Sequence, residues 1–291
     1  MIHIAIAYAT PFLLAAIGGL LTEISGMLNI ALEGLMLFGA FFAILGASLT
    51  GSLAFGIIIA IAASLLLATL FGYLTIRLKS NIFITGLGTN LFATGAVALT
   101  SEWYFGVNSV VRLDNGLRLG NINIPLVSKI PVLGDILSGH TAITYLSWLI
   151  VAAVMVLVYR TSFGLNLRGA GYYPQALRSK GADPDRYRFI AIVASGGACG
   201  LAGAQLSLNL GAWVPNISAG RGWIALVAIY VGFKHPLGTA AACLLFALAE
   251  YAGITLQGIL DVPASLMLAF PYLVTLVALS VVTIARRERM K

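Results

Sequence analysis

Long apolar runs separated by short polar segments set the layout of this chain. A helix needs about 20 apolar residues, with a range of roughly 17–25, to cross the hydrocarbon core of a bilayer. On that rule, spans fall near 4–21, 31–49, 54–76, 82–100, 142–159, 189–210, 222–233, 237–256 and 265–284. The seventh run is too short to cross alone, so it is expected to be a half-helix or to continue into its neighbours. The pattern predicts an all-α, polytopic helical membrane protein of about nine spans. A re-entrant element around Leu21–Gly34 is the feature that would change that count. No polar stretch is long enough to bury a core of its own, so residues 1–291 are read as a single transmembrane domain. The start, MIHIAIAYATPFLL, lacks a basic n-region and is read as an uncleaved first span.

Composition agrees with the pattern. The chain is 60% hydrophobic and 9% charged, with a mean hydropathy of +0.98, whereas soluble domains carry roughly 25% charged residues. The formal net charge of +7 sits in short loops and in the tail from Arg286 to Lys291. It therefore reads as membrane topology and headgroup attraction, not as nucleic-acid binding. Arg77 and Lys79, the 160–188 island, Lys234 and the tail all fall on one side if that side is the cytoplasm. The N-terminus and the 101–140 segment are then external. In that segment Arg112, Arg118 and Lys129 are balanced by Glu102, Asp114 and Asp135. Its Asn, Gly and Pro residues predict loop chemistry, with a hairpin or a short amphipathic helix on the outer surface.

The polar island at 160–188 is the most informative segment. It carries Arg160, Arg168, Arg178, Lys180, Arg186 and Arg188 against Asp183 and Asp185. Its middle, Pro174–Lys180, is expected to be a short helix with Pro at its start and Gly181 as its stop. A short helix held between two spans at the cytoplasmic surface suits the docking of a soluble partner. Pro174, Gln175, Ala176, Leu177, Lys180 and Gly181 are its candidate contact residues.

Polar residues inside apolar runs form the second set of candidates. In LTEISGMLNIALEG, Ser25–Gly26 should break a helix, and Asn29 and Glu33 are four apart, as on one helical face. A carboxylate there should face the bundle interior, a water-filled path or the membrane surface. The plainer alternative is a helix end at the cytoplasmic surface with Glu33 in its first turn. Gln205 and Asn209 repeat the spacing, with Trp213 a turn further on, and Glu250 and Gln257 share a face seven residues apart. Asn29, Glu33, Gln205, Asn209 and Glu250 are therefore candidates for lining a passage, or equally for interhelical hydrogen bonds. The run SGGACGLAGA at 195–204 offers small residues for close helix packing, with hinge flexibility as the alternative. In WVPNISAGRGW, Trp213 and Trp223 fit an interfacial belt, and Arg221 fits an external gate or a partner contact.

Enzyme and cofactor signatures fail. GDILSGHT at 134–141 has phosphate-loop spacing, but His140 stands at the lysine position. Gly169–Ala170–Gly171 begins a dinucleotide-type glycine pattern that Pro174 ends. His3, His140 and His235 fall on no zinc spacing, and Cys199 and Cys243 are isolated in apolar runs. No metal, nucleotide or other cofactor is expected on this chain.

The island RGAGYYPQALRSKGADPDRYR resembles the cytoplasmic signature of the permeases of sugar- and nucleoside-type ABC importers. So do Pro236–Leu237–Gly238 and the preceding GRGWIALVAIYVGF, while LTEISGMLNIALEG is similar to the opening of the nucleoside branch. The resemblance runs from Leu21 to about Gln257. Tyr173 departs from it, standing where the family commonly has Asn, and so does Ala182–Asp183–Pro184, which replaces a more apolar stretch. The resemblance implies a type II ABC importer permease fold in a bacterial-type cytoplasmic (inner) membrane. It implies two permease subunits, paralogous or identical, around a central pathway. Cytoplasmic ATP-binding subunits that use ATP and Mg, together with an external solute-binding protein, would complete the importer. Pro174–Lys180 would be the coupling helix, and the solute a nucleoside or a simple sugar such as a pentose or hexose. From a different class, an ion- or proton-coupled secondary transporter would use Glu33 and Glu250 as protonation sites.

Overall fold

A computed structural model describes residues 2–113, 117–123, 138–257, 273–277 and 280. Among the described residues, seven helices are long and apolar enough to cross a bilayer, and one apolar helix is too short. They are α1 (Ile2–Ile24), α2 (Leu32–Thr50), α3 (Leu53–Gly72, continued by a π-helical turn at Tyr73–Arg77), α4 (Ile82–Phe105), α5 (Ala142–Arg160), the long α8 (Pro184–Leu210) and α10 (Pro236–Gln257), with the short α9 at Arg221–Val231. Between α5 and α8 lie α6 (Ser162–Tyr172) and α7 (Pro174–Ser179). Eight of the expected spans thus have a helix. The ninth, 265–284, falls mostly outside the described residues, as do Gln257's side chain, Asp114–Gly116, 124–137 with Lys129 and Asp135, and the basic tail.

Helix ends follow local chemistry. Ser25–Gly26 stops α1 as expected, with Gly26 in the left-handed region at φ 82°. Asn81 caps α4 by accepting from the N–H groups of Phe83 and Ile84, and Asp183 caps α8 by accepting from Asp185. The island is more helical than its polarity suggests. Thr161 opens α6 by accepting from Gly164, and Pro184 at the first turn starts α8 five residues before the apolar run begins.

α8 is the axis of the bundle and packs on α1, α2 and α3. The small residues at 195–204 serve that packing. A Cβ on Gly39 of α2 would lie 2.7 Å from Gly200 Cα, and one on Gly200 would lie 2.8 Å from the Ala60 carbonyl of α3. The outer faces of α3 and α4 stay apolar, with Leu66 72% and Leu91 75% exposed. Such continuous apolar surface is a liability in water and matches lipid.

One end of the bundle gathers the basic segments. Tyr159 stacks on His235 with ring centroids 5.4 Å apart, and the Arg168 guanidinium lies over Tyr159. Lys234 pairs with Glu23 at 2.7 Å, and Arg77 faces Asp183 and Arg186 across a small cavity. At the far end, the described part of the 101–140 segment makes two short strand pairings, one of them within the segment itself. β1 (Val111–Arg112) pairs antiparallel with β4 (Ala212–Trp213), and β2 (Asn121–Ile122) with β3 (His140–Thr141). This ties the segment to the end of α8 and the start of α5.

Two elements begin inside the bundle. Asn29, just before α2, donates to Ser195 at 3.0 Å. Ser195 lies 11 positions beyond Pro184, about 16 Å along α8 at 1.5 Å per residue. After α1 the chain therefore turns back, and α2 starts at mid-depth. α9 also starts there, since Arg221 meets Glu250, which lies 14 positions into α10. The short seventh run is thus a half-helix.

Candidate functional site

Glu33 joins the two mid-depth helix starts. Its carboxylate accepts from the N–H of Gly220 at 2.9 Å and of Gly222 at 2.7 Å, which are first-turn donors of α9 without partners inside their own helix. The positive end of the α9 dipole and the carboxylate attract each other. Gly222 permits the approach, because a Cβ there would lie 2.5 Å from Glu33 Cα. Glu33 does stand in the first turn of α2. That turn is not at a membrane surface, however, so the surface-cap alternative is corrected: Glu33 caps a second helix inside the bundle.

Arg221, between those two glycines, pairs through Nη2 with Glu250 of α10 and donates through Nη1 to the Ile217 carbonyl at 2.9 Å. The guanidinium and carboxylate are both largely buried, at 17% and 14% exposure, where an unpaired charge would be costly. Arg221, read from the sequence as an external gate or a partner contact, thus has a partner within its own chain. Glu33, α9, Arg221 and Glu250 together tie α2, α9 and α10 at mid-depth.

Asn29 belongs to a different device. It is not on a helical face with Glu33, because it precedes α2 in a turn that its own side chain builds by accepting from Ala31 N–H at 3.0 Å. On α4, Asn90 supports the same turn, donating to the Ile30 carbonyl and accepting from Gly34 N–H.

Gln205 and Asn209 come together on the last turns of α8. They line a cavity of about 460 Å³ with His3, Tyr8, Thr141 and Arg221. His3 stacks on His140 with centroids 4.3 Å apart and bonds the Gly139 carbonyl at 3.0 Å. Trp213 is neither on the Gln205 face nor interfacial. Gly211 ends α8 in the left-handed region, and Trp213 turns inward against Phe41 at 5.2 Å. Among the polar candidates, Gln205 and Asn209 reach this cavity, Glu250 reaches its floor through Arg221, and Asn29 does not line it.

At the basic end, α7 stands between α6 and α8 as the Pro174 start and Gly181 stop predict, with Gly181 at φ 81°. Gln175, Ala176, Lys180 and Gly181 are exposed, and Pro174 is half-buried. Leu177 differs from expectation. It is buried and anchors α7 onto α6 near Gly169. Tyr172 and Tyr173, which sequence reasoning did not select, are 65% and 73% exposed beside α7. Behind the helix, Arg188 ties the island to α1 and α6 through the carbonyls of Ser25 and Ala170.

Sequence comparison matches the description "Branched-chain amino acid transport system / permease component" over residues 1–279. A protein of Haloferax volcanii described as a glucose ABC transporter permease is 31% identical, over 96% of this chain and 90% of its own length. A guanosine ABC transporter permease of Bacillus subtilis is 30% identical, over 94% and 89%. A nucleoside ABC transporter permease of Lactococcus lactis is 29% identical, over 94% and 89%. No solved structure matches at a significant level. With nearly its whole length matched and its helices long and apolar enough to span a bilayer, the chain belongs to the family of branched-chain amino acid transport system permease components.

Proposed function

We propose that this chain is one of a pair of permease subunits that carry nucleosides inward, with simple sugars as the alternative cargo. It is a multi-pass permease subunit of an ABC importer in the cytoplasmic membrane, and ATP hydrolysis resides on a separate subunit. ATP-binding and solute-binding components are its partners by family. Nucleosides rank ahead of sugars because two of the relatives carry nucleoside or guanosine in their names, and because LTEISGMLNIALEG is similar to the nucleoside branch.

The observation that carries the coupling role is α7, a short helix with Gln175, Ala176 and Lys180 exposed and its back held by Leu177. Displacement of such a helix by an ATPase would be passed to α6 and α8, which flank it, and from α8 to the rest of the bundle. Gln175→Asp with Ala176→Asp tests this without touching the Leu177 anchor. In proteoliposomes holding the complete importer, guanosine accumulation is expected to fall at least ~10-fold, the equivalent of about 1.4 kcal/mol of docking free energy. The variant should elute from size exclusion as the wild type does. Undiminished accumulation rejects α7 as the coupling element, and accumulation of glucose in place of guanosine assigns the sugar cargo.

A further inference from the structure

The cavity at the end of α8 holds hydrogen-bonding capacity that the protein itself leaves unused. Its volume of about 460 Å³ falls within the roughly 300–1,000 Å³ typical of small-molecule sites. Gln205 is 2% exposed. Its carboxamide oxygen accepts from Thr141 Oγ1 at 3.0 Å, and its amide nitrogen has no partner among the described residues. The Thr141 hydroxyl continues a buried chain to Thr144 at 3.1 Å and on to Thr10 at 3.0 Å, joining α8, α5 and α1. Arg221 likewise spends its two terminal nitrogens on Glu250 and Ile217 and leaves Nε unpartnered. Both nitrogens are shut away from solvent in this state, and buried donors left unmade are costly, so a small turn of either side chain toward the cavity would be repaid by a solute that accepts.

The opposite wall offers the complementary polarity. Pro11 inside α1 has no N–H, so the Ala7 carbonyl loses its usual helical donor, and both residues line the cavity. Tyr8 and the His3 ring add flat unsaturated surface. The Arg221 charge is balanced by Glu250, so nothing here selects an ion.

We infer that this cavity is a solute site contained within a single permease subunit, taking an uncharged, acceptor-rich molecule of the nucleoside class. The inference rests on the nucleoside-importer reading above. It adds a halting point inside one subunit, with Gln205 as the residue that reads the solute's acceptors.

The test uses the permease–ATPase complex in nanodiscs without the solute-binding protein. Leu210, an exposed residue of the cavity rim, is changed to Cys in a Cys199→Ala, Cys243→Ala background, and a polar maleimide reports access. Guanosine is expected to protect the introduced thiol. Gln205→Leu and Gln205→Glu, which remove the donor in a similar shape, should each raise the half-protecting concentration about tenfold, the size of one lost hydrogen bond. Asn209→Ala, at an exposed position that should not disturb folding, should raise it severalfold. Complete importer that accumulates guanosine, combined with protection that is absent or indifferent to both Gln205 changes, overturns the cavity site and spares the functional reading. Protection by glucose, in an importer that accumulates glucose and not guanosine, upholds the cavity and overturns the nucleoside assignment. An importer that accumulates neither overturns the functional reading, and this inference with it.

Discussion

Replacing Glu33 should release the mid-depth end of α9, and the structure sets the size of the effect. The carboxylate holds two N–H groups, at 2.9 and 2.7 Å, and hydrogen bonds to a charged group contribute about 1.5–3 kcal/mol each. The helix dipole adds roughly 0.3–1 kcal/mol. Glu33→Ala removes all of this, so local opening of α9 should become easier by about 3–5 kcal/mol after partial relaxation. Glu33→Gln keeps the shape and one acceptor oxygen but sets an NH₂ against the second donor, for a loss of about 1.5–3 kcal/mol. A thiol at Ser218 reads the opening. Ser218 is fully buried beside this end of the helix, and its hydroxyl has no partner among the described residues, so Ser218→Cys forfeits no hydrogen bond. With Cys199 and Cys243 replaced by Ala, maleimide labelling in detergent follows the open population when opening is fast. At about 1.4 kcal/mol per decade, Gln should speed labelling by roughly tenfold to a hundredfold, and Ala by more than a hundredfold. Equal rates in wild type, Gln and Ala would refute the clamp. Ala and Gln accelerating alike would refute the assignment of charge to it.

Two further outcomes are expected. Arg221→Met or Glu250→Gln alone should destabilise the purified subunit by about 3–5 kcal/mol, because each strands a buried charge, while the double change should recover much of that loss; thermal melts of the three variants should show a double mutant above both singles, and additive losses would contradict the pairing. In the native-cysteine-free background, a membrane-impermeant thiol reagent applied to intact cells should label Asn108→Cys and spare Lys180→Cys; the reverse result would invert the orientation drawn from the basic loops.

The helical plan was legible in the sequence because it rests on local quantities. Run length placed the spans, Ser25–Gly26 marked the first break, and Pro174 with Gly181 bracketed α7. α6 was not legible, since Ser162–Tyr172 is polar and glycine-bearing and owes its helicity to the Thr161 cap and to packing on α5 and α8. Polar residues in apolar runs stand out in the sequence, but their partners depend on contacts far apart in the chain. The tie of Glu33 to Gly220 and Gly222 spans nearly two hundred residues, and no periodicity carries that information. The spacing of Asn29 and Glu33 misled for a specific reason: a helical face was assumed where the Asn side chain folds the backbone into a turn. His3 and His140 looked unrelated because their pairing depends on where α1 meets β3. Leu177 looked like a contact residue because it sits among polar neighbours, which is also how a lone anchor looks in sequence.

The half-length of α9 shapes the electric field that the protein experiences. Its 11 residues cover about 16 Å, roughly half of a 30 Å hydrocarbon core, and the cavity opens beside its first turn, where Ile217 and Arg221 line it. Once water enters the cavity, the dielectric barrier thins to the lower half, and most of the membrane voltage falls across it. A single charge moving through that voltage would exchange about 2.3 kcal/mol per 100 mV. Arg221 and Glu250 stand at its upper edge as a neutral pair, so their joint displacement would move no net charge. Turnover should therefore depend on ATP and be nearly indifferent to membrane potential, and splitting that pair would give the transporter a voltage dependence it otherwise lacks.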